Sequence, residues 1–421
     1  MLLQFSVSNF KSIKDEVFFT AFANNRNEHK DNLIIANKDK ILPTLAFYGA
    51  NAAGKSNILH ALSAAINFVR YSNIYQINTK LPFLPFAFDE KFKNGKTKMD
   101  FMFIHNEKKY AYGFVADINK VYEEYLYEYK TSKPSMIFKR KDVNKYSFPK
   151  VHNSLSEYVD KNTDNKLFLS TATTWNSEAT KNAYLWFAEG IDVCENIAFG
   201  NSFQNYQGFL MYLDKYNDNP EIKNFMKSLL KEADVNISDY EFNSEVVATN
   251  AQVLNQNGQL ENIGKIKRFY VNTIHKIKNN KTNKLENHLL DFKFESNGTK
   301  LLFFYGPLIM DALTRGRTII IDEIHNSLHT SLAQYLINLF NDKNINKNGA
   351  QLIFTTHDTN LLDLDIFRRD QIYFVEKDTE TGASDVYSLA DFSPRKSENI
   401  RKGYLQGRYG AMPFVGDGIK W

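Results

Sequence analysis

Residues 1–10 alternate between apolar and polar positions. Leu3, Phe5 and Val7 fall on one face and Gln4, Ser6 and Ser8 on the other, the period of a half-buried strand. Asn9-Phe10-Lys11-Ser12-Ile13 reads as a turn, and residues 16–23 as the second strand of a hairpin. Residues 24–40 are polar, rich in Asn and Lys, and predict a surface loop. The apolar run 42–48 predicts a buried strand. Ile58, Leu59, Leu62, Ala65 and Ile66 then recur at helical spacing over 57–70. From 71 to 150 the pattern is β-rich, with alternating aromatics over 83–88, 98–105, 109–117 and 122–131. Asn94-Gly95 and His105-Asn106 are turn signals between them. This predicts an antiparallel meander continuing the N-terminal sheet.

Residues 132–165 predict a hairpin followed by a helix. Residues 166–240 read as helical, most clearly over 179–189 and over 220–233, where Pro220 suits a first helical turn. Strand patterns return over 240–247, 264–276 and 287–294, and an apolar helix follows over 301–313. Two further apolar strands, 318–321 and 351–356, each end in polar residues.

The most informative stretch is Gly49-Ala50-Asn51-Ala52-Ala53-Gly54-Lys55-Ser56, which fits G-x-x-x-x-G-K-[ST] at every fixed position. It lies between a predicted buried strand and a predicted helix, the setting in which this spacing makes a phosphate site. Two glycines let successive N–H groups turn inward, and the helix points its positive end at the anion. Lys55 can reach β- and γ-phosphates, and the Ser56 hydroxyl can hold Mg²⁺. Gly49, Asn51, Gly54, Lys55, Ser56 and Asn57 are the candidate nucleotide contacts of this loop.

Thr318-Ile319-Ile320-Ile321-Asp322-Glu323 delivers two acids at the end of a β-branched run, where open α/β sheets bind ligands. Asp322 suits a Mg²⁺ acid, in direct contact or one shell removed, and Glu323 suits the base that orients an attacking water. Gln351 to Asp358 repeats the design, and His357 could reach the γ-phosphate from the far side. Ser296 and Gly298 precede the apolar helix. Ser and Gly at a helix N-terminus can form an anion site, but in isolation they read mainly as an ordinary N-cap.

Composition narrows the class. The 421 residues suffice for about two to three domains, or one large domain with an insertion. A net charge of +4 excludes a histone-like protein. The single cysteine, Cys194, excludes a disulfide framework, suits a reducing cytosol and reads as a small buried apolar residue. The N-terminus shows no signal-peptide pattern and no run is apolar enough to span a bilayer, so the expectation is a cytoplasmic protein without a membrane contact. Lys265, Lys267, Arg268, Lys276, Lys278, Lys281 and Lys284 form the densest basic stretch, either solvated strand edges or a nucleic-acid surface. His325 and His329 stand four apart on a predicted helix, a spacing open to zinc, with no third ligand nearby.

Together these residues resemble ABC-type ATPases of the RecF and SMC kind, and more closely the compact bacterial AAA-family ATP-binding proteins of abortive-infection and other phage-defence operons, including the RloA-like proteins. The resemblance is carried by Asn9 to Ile13, the loop at 49–56 with Asn57, the short signature Glu295-Ser296-Asn297-Gly298-Thr299, Asp322-Glu323, Thr355-Thr356-His357-Asp358, and the ending Gly403 to Pro413. It implies an α/β fold: an ABC-type P-loop ATPase head with a mixed β-sheet core, an antiparallel β subdomain and a helical insertion. The expected domains are an N-terminal ATPase lobe over 1–165, a helical insertion over 166–240 and a C-terminal ATPase lobe over 241–421. The resemblance also implies ATP and Mg²⁺ as cofactors, and a homodimer or higher homo-oligomer in which Ser296 and Gly298 serve the nucleotide of a partner protomer. It places His325 and His329 at the dimer interface.

The signature departs from the Ser-Gly-Gly of transporters by having Ser-Asn-Gly, and Gln76 is a poor candidate for a glutamine loop. Phe10 and Lys11 are plausible adenine contacts. Three functions follow. An ATP-switched regulator would control a separate effector, a nuclease or toxin, in anti-phage defence. A DNA-repair or chromosome-organising ATPase would usually carry heptads or paired cysteines, which are absent from the sequence. An OLD-type nuclease would need a further carboxylate set, and Asp363-Leu364-Asp365 falls in a predicted helix after His357. An effector could dock on the 166–240 insertion or on the C-terminal segment around Arg401, Lys402, Arg408 and Tyr409, unless that segment caps its own sheet.

Overall fold

A computed structural model describes residues 1–194, 203–233, 236–248, 252–254, 260–262, 264–395 and 398–412. The chain divides into two compact units. One comprises residues 1–196, 312–325 and 333–421, the other 197–311 and 326–332.

The first unit holds two large sheets. The N-terminal alternation gives Leu2–Ser8, which pairs antiparallel with Val17–Thr20 on one side and with Thr97–His105 on the other. The sheet continues as a meander through Lys108–Ala116, Val121–Tyr129, Ser135–Lys141 and Lys145–Ser147; three of the four stretches with alternating aromatics, 98–105, 109–117 and 122–131, supply its strands. The expected helix after the hairpin is a 3₁₀ segment, Lys150–Lys161.

The second sheet has the strand order Ile191–Cys194, Thr318–Ile321, Gln351–Thr356, Thr44–Tyr48, Ile372–Lys377, Ser384–Ser388. Its first five strands are parallel and the last is antiparallel. Thr44–Tyr48 is buried at every position, as a central parallel strand requires. The helix Lys55–Tyr71 buries Ile58, Leu59, Leu62, Ala65, Ile66, Phe68 and Val69. Burial of each larger side chain in that stripe contributes about 1.5–3 kcal/mol before entropy is counted. Phe19 links the two sheets, meeting Phe47 at 5.0 Å and Tyr373 at 6.2 Å; Phe5 meets Phe101 at 4.8 Å within the first sheet, and Phe47 stacks on Tyr373 at 5.3 Å within the second.

Several local expectations are corrected. Residues 24–40 include a 3₁₀ turn, Lys30–Asn32, and the first strand and part of the second of a small hairpin, Ile34–Ala36 with Asp39–Ile41. Residues 83–88 form no strand. Their apolar alternation buries Phe83 and Phe86, but their backbone bonds go to the 9–13 turn: Lys11 N–H donates to Leu84 O at 2.7 Å, and Phe86 N–H to Asn9 Oδ1 at 2.9 Å. The helical reading of 166–240 omits the strand Ile191–Cys194, which pairs parallel with Thr318–Ile321. Phe168–Thr174 and Glu178–Leu185 are helices of the first unit, and Trp186 stacks on Phe103 at 4.2 Å. Cys194 is a free thiol and half-buried rather than fully buried as expected; desolvation first and Asp192 second push its pKa up to about 12.

The C-terminal segment packs on its own sheet as far as Ala411, whose N–H donates to Glu376 Oε1 at 3.2 Å. Tyr404 and Tyr409 lie flat against Phe374, with ring centroids at 5.4 and 5.8 Å and planes within 8° and 10°. Pro413 of the expected motif lies outside the described residues.

The second unit pairs Lys265–Lys278 antiparallel between Ile237–Ala248 and Leu285–Asp291. A small ladder joins Gln252–Leu254 to Leu260–Asn262. Its helices are Phe203–Asn217, Pro220–Glu232 and most of Asn297–Arg315. Asn219 caps the second of these from Glu221 N–H at 2.9 Å, with Pro220 in its first turn. Tyr240 meets Phe303 at 5.1 Å and Phe292 meets Phe303 at 4.7 Å. Among the described residues, no helix is long and apolar enough to cross a membrane.

Candidate functional site

The parallel strands all end at one edge of their sheet, so the loops that follow them converge. Gly49 to Gly54 follows Thr44–Tyr48, Asp322 and Glu323 follow Thr318–Ile321, and His357 follows Gln351–Thr356. The last of these strands lies between the other two. Three stretches far apart in sequence thus deliver their polar residues side by side.

The loop needs both glycines for space. A Cβ on Gly49 would stand 2.3 Å from Val375 O, and one on Gly54 would stand 2.2 Å from Ser384 Oγ. Gly54 also has φ +110°, a region that favours glycine. Lys55 is buried. Its Nζ donates to Gly49 O at 2.9 Å and to Ala50 O at 3.0 Å, so the cation is held across its own loop. Burial lowers its pKa, and the carboxylates of Glu323 and Asp322 oppose that shift. Lys55, Asp322 and Glu323 therefore share one electrostatic neighbourhood.

Asp322 is buried, and its Oδ1 accepts a short hydrogen bond from the Thr355 hydroxyl. The same hydroxyl accepts Glu323 N–H at 2.7 Å. Glu323 sits at φ +50°, which costs energy for a residue with a side chain and is held by this hydrogen bond. Its Oε1 lies 3.7 Å from His357 Nδ1. Ser56 and Asp322 offer a hydroxyl and a carboxylate, the hard oxygen donors that suit Mg²⁺.

Asn57 points elsewhere than expected. Its amide donates to Ser12 Oγ at 2.7 Å. Lys11 Nζ lies 2.8 Å from His60 Nδ1, and Phe10 is buried, so the plausible adenine contacts differ in accessibility. A cleft of about 1170 Å³ runs along the outer flank of Ala50 to Ala53, lined by Asp15, Glu16, Glu376, Asp378 and Asp385 among others. Those carboxylates suit no phosphate, so the site is placed on Lys55, Asp322 and Glu323 rather than in this cleft.

The helix reading for His325 and His329 is corrected, because residues 322–327 form a turn and the helix begins at Thr330. His325 belongs to His357: the two Nε2 atoms stand 3.0 Å apart. His329 Nδ1 bonds the Ser331 hydroxyl at 2.7 Å. Asp363 and Asp365 lie in turns after a short 3₁₀ segment, Thr359–Leu361, not in a helix.

Ser296 and Gly298 are in the second unit. Ser296 Oγ accepts Thr299 N–H at 3.1 Å, which caps the helix Asn297–Arg315. Gly298 is required by close approach, since a Cβ there would stand 2.6 Å from Ser327 O. Glu295, one residue before the cap, bonds the Thr273 hydroxyl and pairs with His275 Nε2 at 2.8 Å.

Thr355, Ser12 and Ser384 are the site residues that sequence reasoning missed. Ser12 and Thr355 both stood within stretches that carry the resemblance, Asn9 to Ile13 and Thr355 to Asp358, without a role assigned to either. Nothing local to Ser384 marks it.

A search of the curated proteins found no match. Among solved structures the chain is similar to the SMC head domain from Thermotoga maritima, at 12% identity and TM-score 0.41, covering 92% of this chain and 98% of that one. It is similar to an SMC head bound to the C-terminal winged-helix domain of ScpA, at 12% identity and TM-score 0.43, covering 92% and 97%. A third likeness is to an SMC head with an extended coiled coil, bound to the C-terminal domain of ScpA, from Pyrococcus furiosus, at 12% identity and TM-score 0.42, covering 97% and 99%. At this level of likeness the fold stands on the sheet order and the phosphate loop alone. Residues 45–363 match the family described as "AAA domain, putative AbiEii toxin, Type IV TA system", a span holding the loop, both carboxylates and His357. The chain belongs to that AAA-domain family.

Proposed function

We propose that this protein is an ATP-binding and ATP-hydrolysing switch that dimerises on ATP and controls a separate effector. The observation that carries this reading is the placement of Lys55, Asp322, Glu323 and His357 at one edge of a parallel sheet. Mg²⁺, when bound, would supply positive charge that offsets the charge of the phosphates. Ser56 and Asp322 would hold it. Lys55 exchanges its contacts with Gly49 O and Ala50 O for phosphate oxygens, so the loop opens to its ligand without leaving a buried charge unpaired. Glu323 orients the attacking water and takes its proton, while His357 meets the γ-phosphate from beyond it.

Ser296 of the partner subunit would complete each nucleotide site, which makes closure depend on ATP. The family description and the resemblance to defence-operon ATPases support a role in anti-phage defence, with a nuclease or toxin as effector. The DNA-binding alternative draws on the basic strand Lys265–Lys278. Two of its charges are matched, however: Lys267 pairs with Asp214 at 3.2 Å, and Arg268 stands opposite Glu245, while Lys276 and Lys278 stand opposite Asn287 and Leu285. The two matched charges favour a solvated strand at that end over a nucleic-acid surface.

The test is ATP binding and turnover by the purified full chain. Lys55→Ala should abolish nucleotide binding. Glu323→Gln should bind MgATP and hydrolyse it about 100-fold or more slowly, the usual worth of a general base. Turnover by Glu323→Gln at the wild-type rate would remove the catalytic assignment.

A further inference from the structure

Four groups form a hydrogen-bonded chain behind the phosphate loop. Asn57 Nδ2 lies 2.7 Å from Ser12 Oγ, Ser12 Oγ lies 2.8 Å from Ser384 Oγ, and Ser384 Oγ lies 2.7 Å from Ala53 O. Its direction is forced by its ends. The amide nitrogen of Asn57 can only donate and the carbonyl of Ala53 can only accept, while each serine has one proton to give. Asn57 therefore donates to Ser12, Ser12 to Ser384, and Ser384 to Ala53. The backbone locks the same contact, because Ser384 N–H donates to Ser12 O at 2.7 Å. Ser384 is buried, so these partners are not exchanged for water.

The chain leaves the loop at Ala53 and rejoins it at Asn57, bracketing Gly54, Lys55 and Ser56. It crosses the N-terminal turn and the edge strand Ser384–Ser388 on the way. In a trans peptide the carbonyl and the following N–H point in opposite directions. Turning Ala53 O toward Ser384 therefore turns Gly54 N–H away from it. A flip of that peptide would exchange an N–H for an oxygen on the side facing away from Ser384, and an oxygen there would repel phosphate.

We propose that Ser384, acting through Ser12 and Ala53, is a positioning residue of the phosphate loop that fixes the Ala53–Gly54 peptide in its phosphate-binding orientation. This rests on the reading of the loop as an ATP site. Ser384 itself touches no reacting atom, so its loss should weaken nucleotide binding more than turnover at saturation.

The experiment uses the full chain with MgATP as the probe. Affinity is measured in the Glu323→Gln background, turnover with Glu323 present, and thermal melting throughout. Ser384→Ala and Ser12→Ala should each weaken MgATP binding about tenfold, roughly the loss of one well-placed hydrogen bond, and change kcat at saturation by less than about threefold. The double variant should bind no more weakly than the weaker single variant, because either change opens the same chain. Ser12→Ala, in a partly exposed turn, carries the test if Ser384→Ala does not fold. Wild-type affinity in a variant that merely melts earlier would overturn the proposal, and so would losses that multiply in the double variant. Failure of the unaltered Glu323→Gln protein to bind MgATP would instead overturn the ATP reading on which it stands.

Discussion

His325 and His357 face each other Nε2 to Nε2 at 3.0 Å, with ring planes at 80°. The Thr356 hydroxyl holds His325 from behind, 2.8 Å from Nδ1. Two imidazoles share such a contact only when one nitrogen carries a proton and the other a lone pair. Burial first, and the neighbouring His357 ring second, lower His325 from 6.5 to about 4. The folded state then binds fewer protons than the unfolded chain between those values, so stability falls as pH drops through that window. Replacing His325 by Asn should flatten the fall in Tm between pH 7 and pH 5. Melting curves with the same pH slope in both proteins would contradict the assignment.

Thr355 bonds the Asp322 carboxylate and the Glu323 N–H with one hydroxyl. Thr355→Val keeps the shape and removes both bonds, which frees the carboxylate and the strained Glu323 backbone together. Turnover or Mg²⁺ affinity should fall about 10–100-fold, the usual cost of removing a partner that orients a metal ligand. Thr355→Ser should retain most activity. Wild-type kinetics in Thr355→Val would show that the hydroxyl holds neither group in place.

The strand–loop–helix at 44–71 and the acids at 322 and 323 were legible because their signal is local: a periodic run, two glycines, a lysine and a carboxylate pair. The meander over 97–147 was legible for the same reason. What escaped depends on contacts between distant segments. Ile191–Cys194 is four residues long and follows a helix, so only its pairing with Thr318–Ile321 makes it a strand. Residues 83–88 alternate as a strand would, yet bond to the 9–13 turn. His325 looked like half of a helical pair with His329 until a turn placed it against His357. Ser384 is an ordinary strand residue until the fold sets it against Ala53, 331 positions away.

The meander has its own polar anchor. Glu124 and Arg140 are both fully buried, with Arg140 Nη1 3.8 Å from the carboxylate. Glu124 also accepts the N–H groups of Phe168 and Leu169 at 2.6 and 2.9 Å, and the Tyr112 hydroxyl at 3.1 Å. Burial raises the Glu124 pKa, against the pull of Arg140 and these donors. Arg140→Met leaves a buried carboxylate without its cation and should cost about 3–5 kcal/mol in urea unfolding. The exposed pair Lys181–Glu178 should contribute less than about 1 kcal/mol. Equal costs for the two pairs would contradict the burial argument.

The shared, ATP-closed dimer is tested most directly by mixing two inactive proteins. Lys55→Ala disables the loop of its own chain, and Ser296→Arg fills the helix cap that would serve the partner's nucleotide. In a mixed dimer one site combines both defects and the other has neither, so ATPase activity should reappear on mixing, at up to about half the wild-type rate per mixed dimer. No recovery, with mixed dimers shown to form in MgATP, would contradict the sharing of sites between protomers.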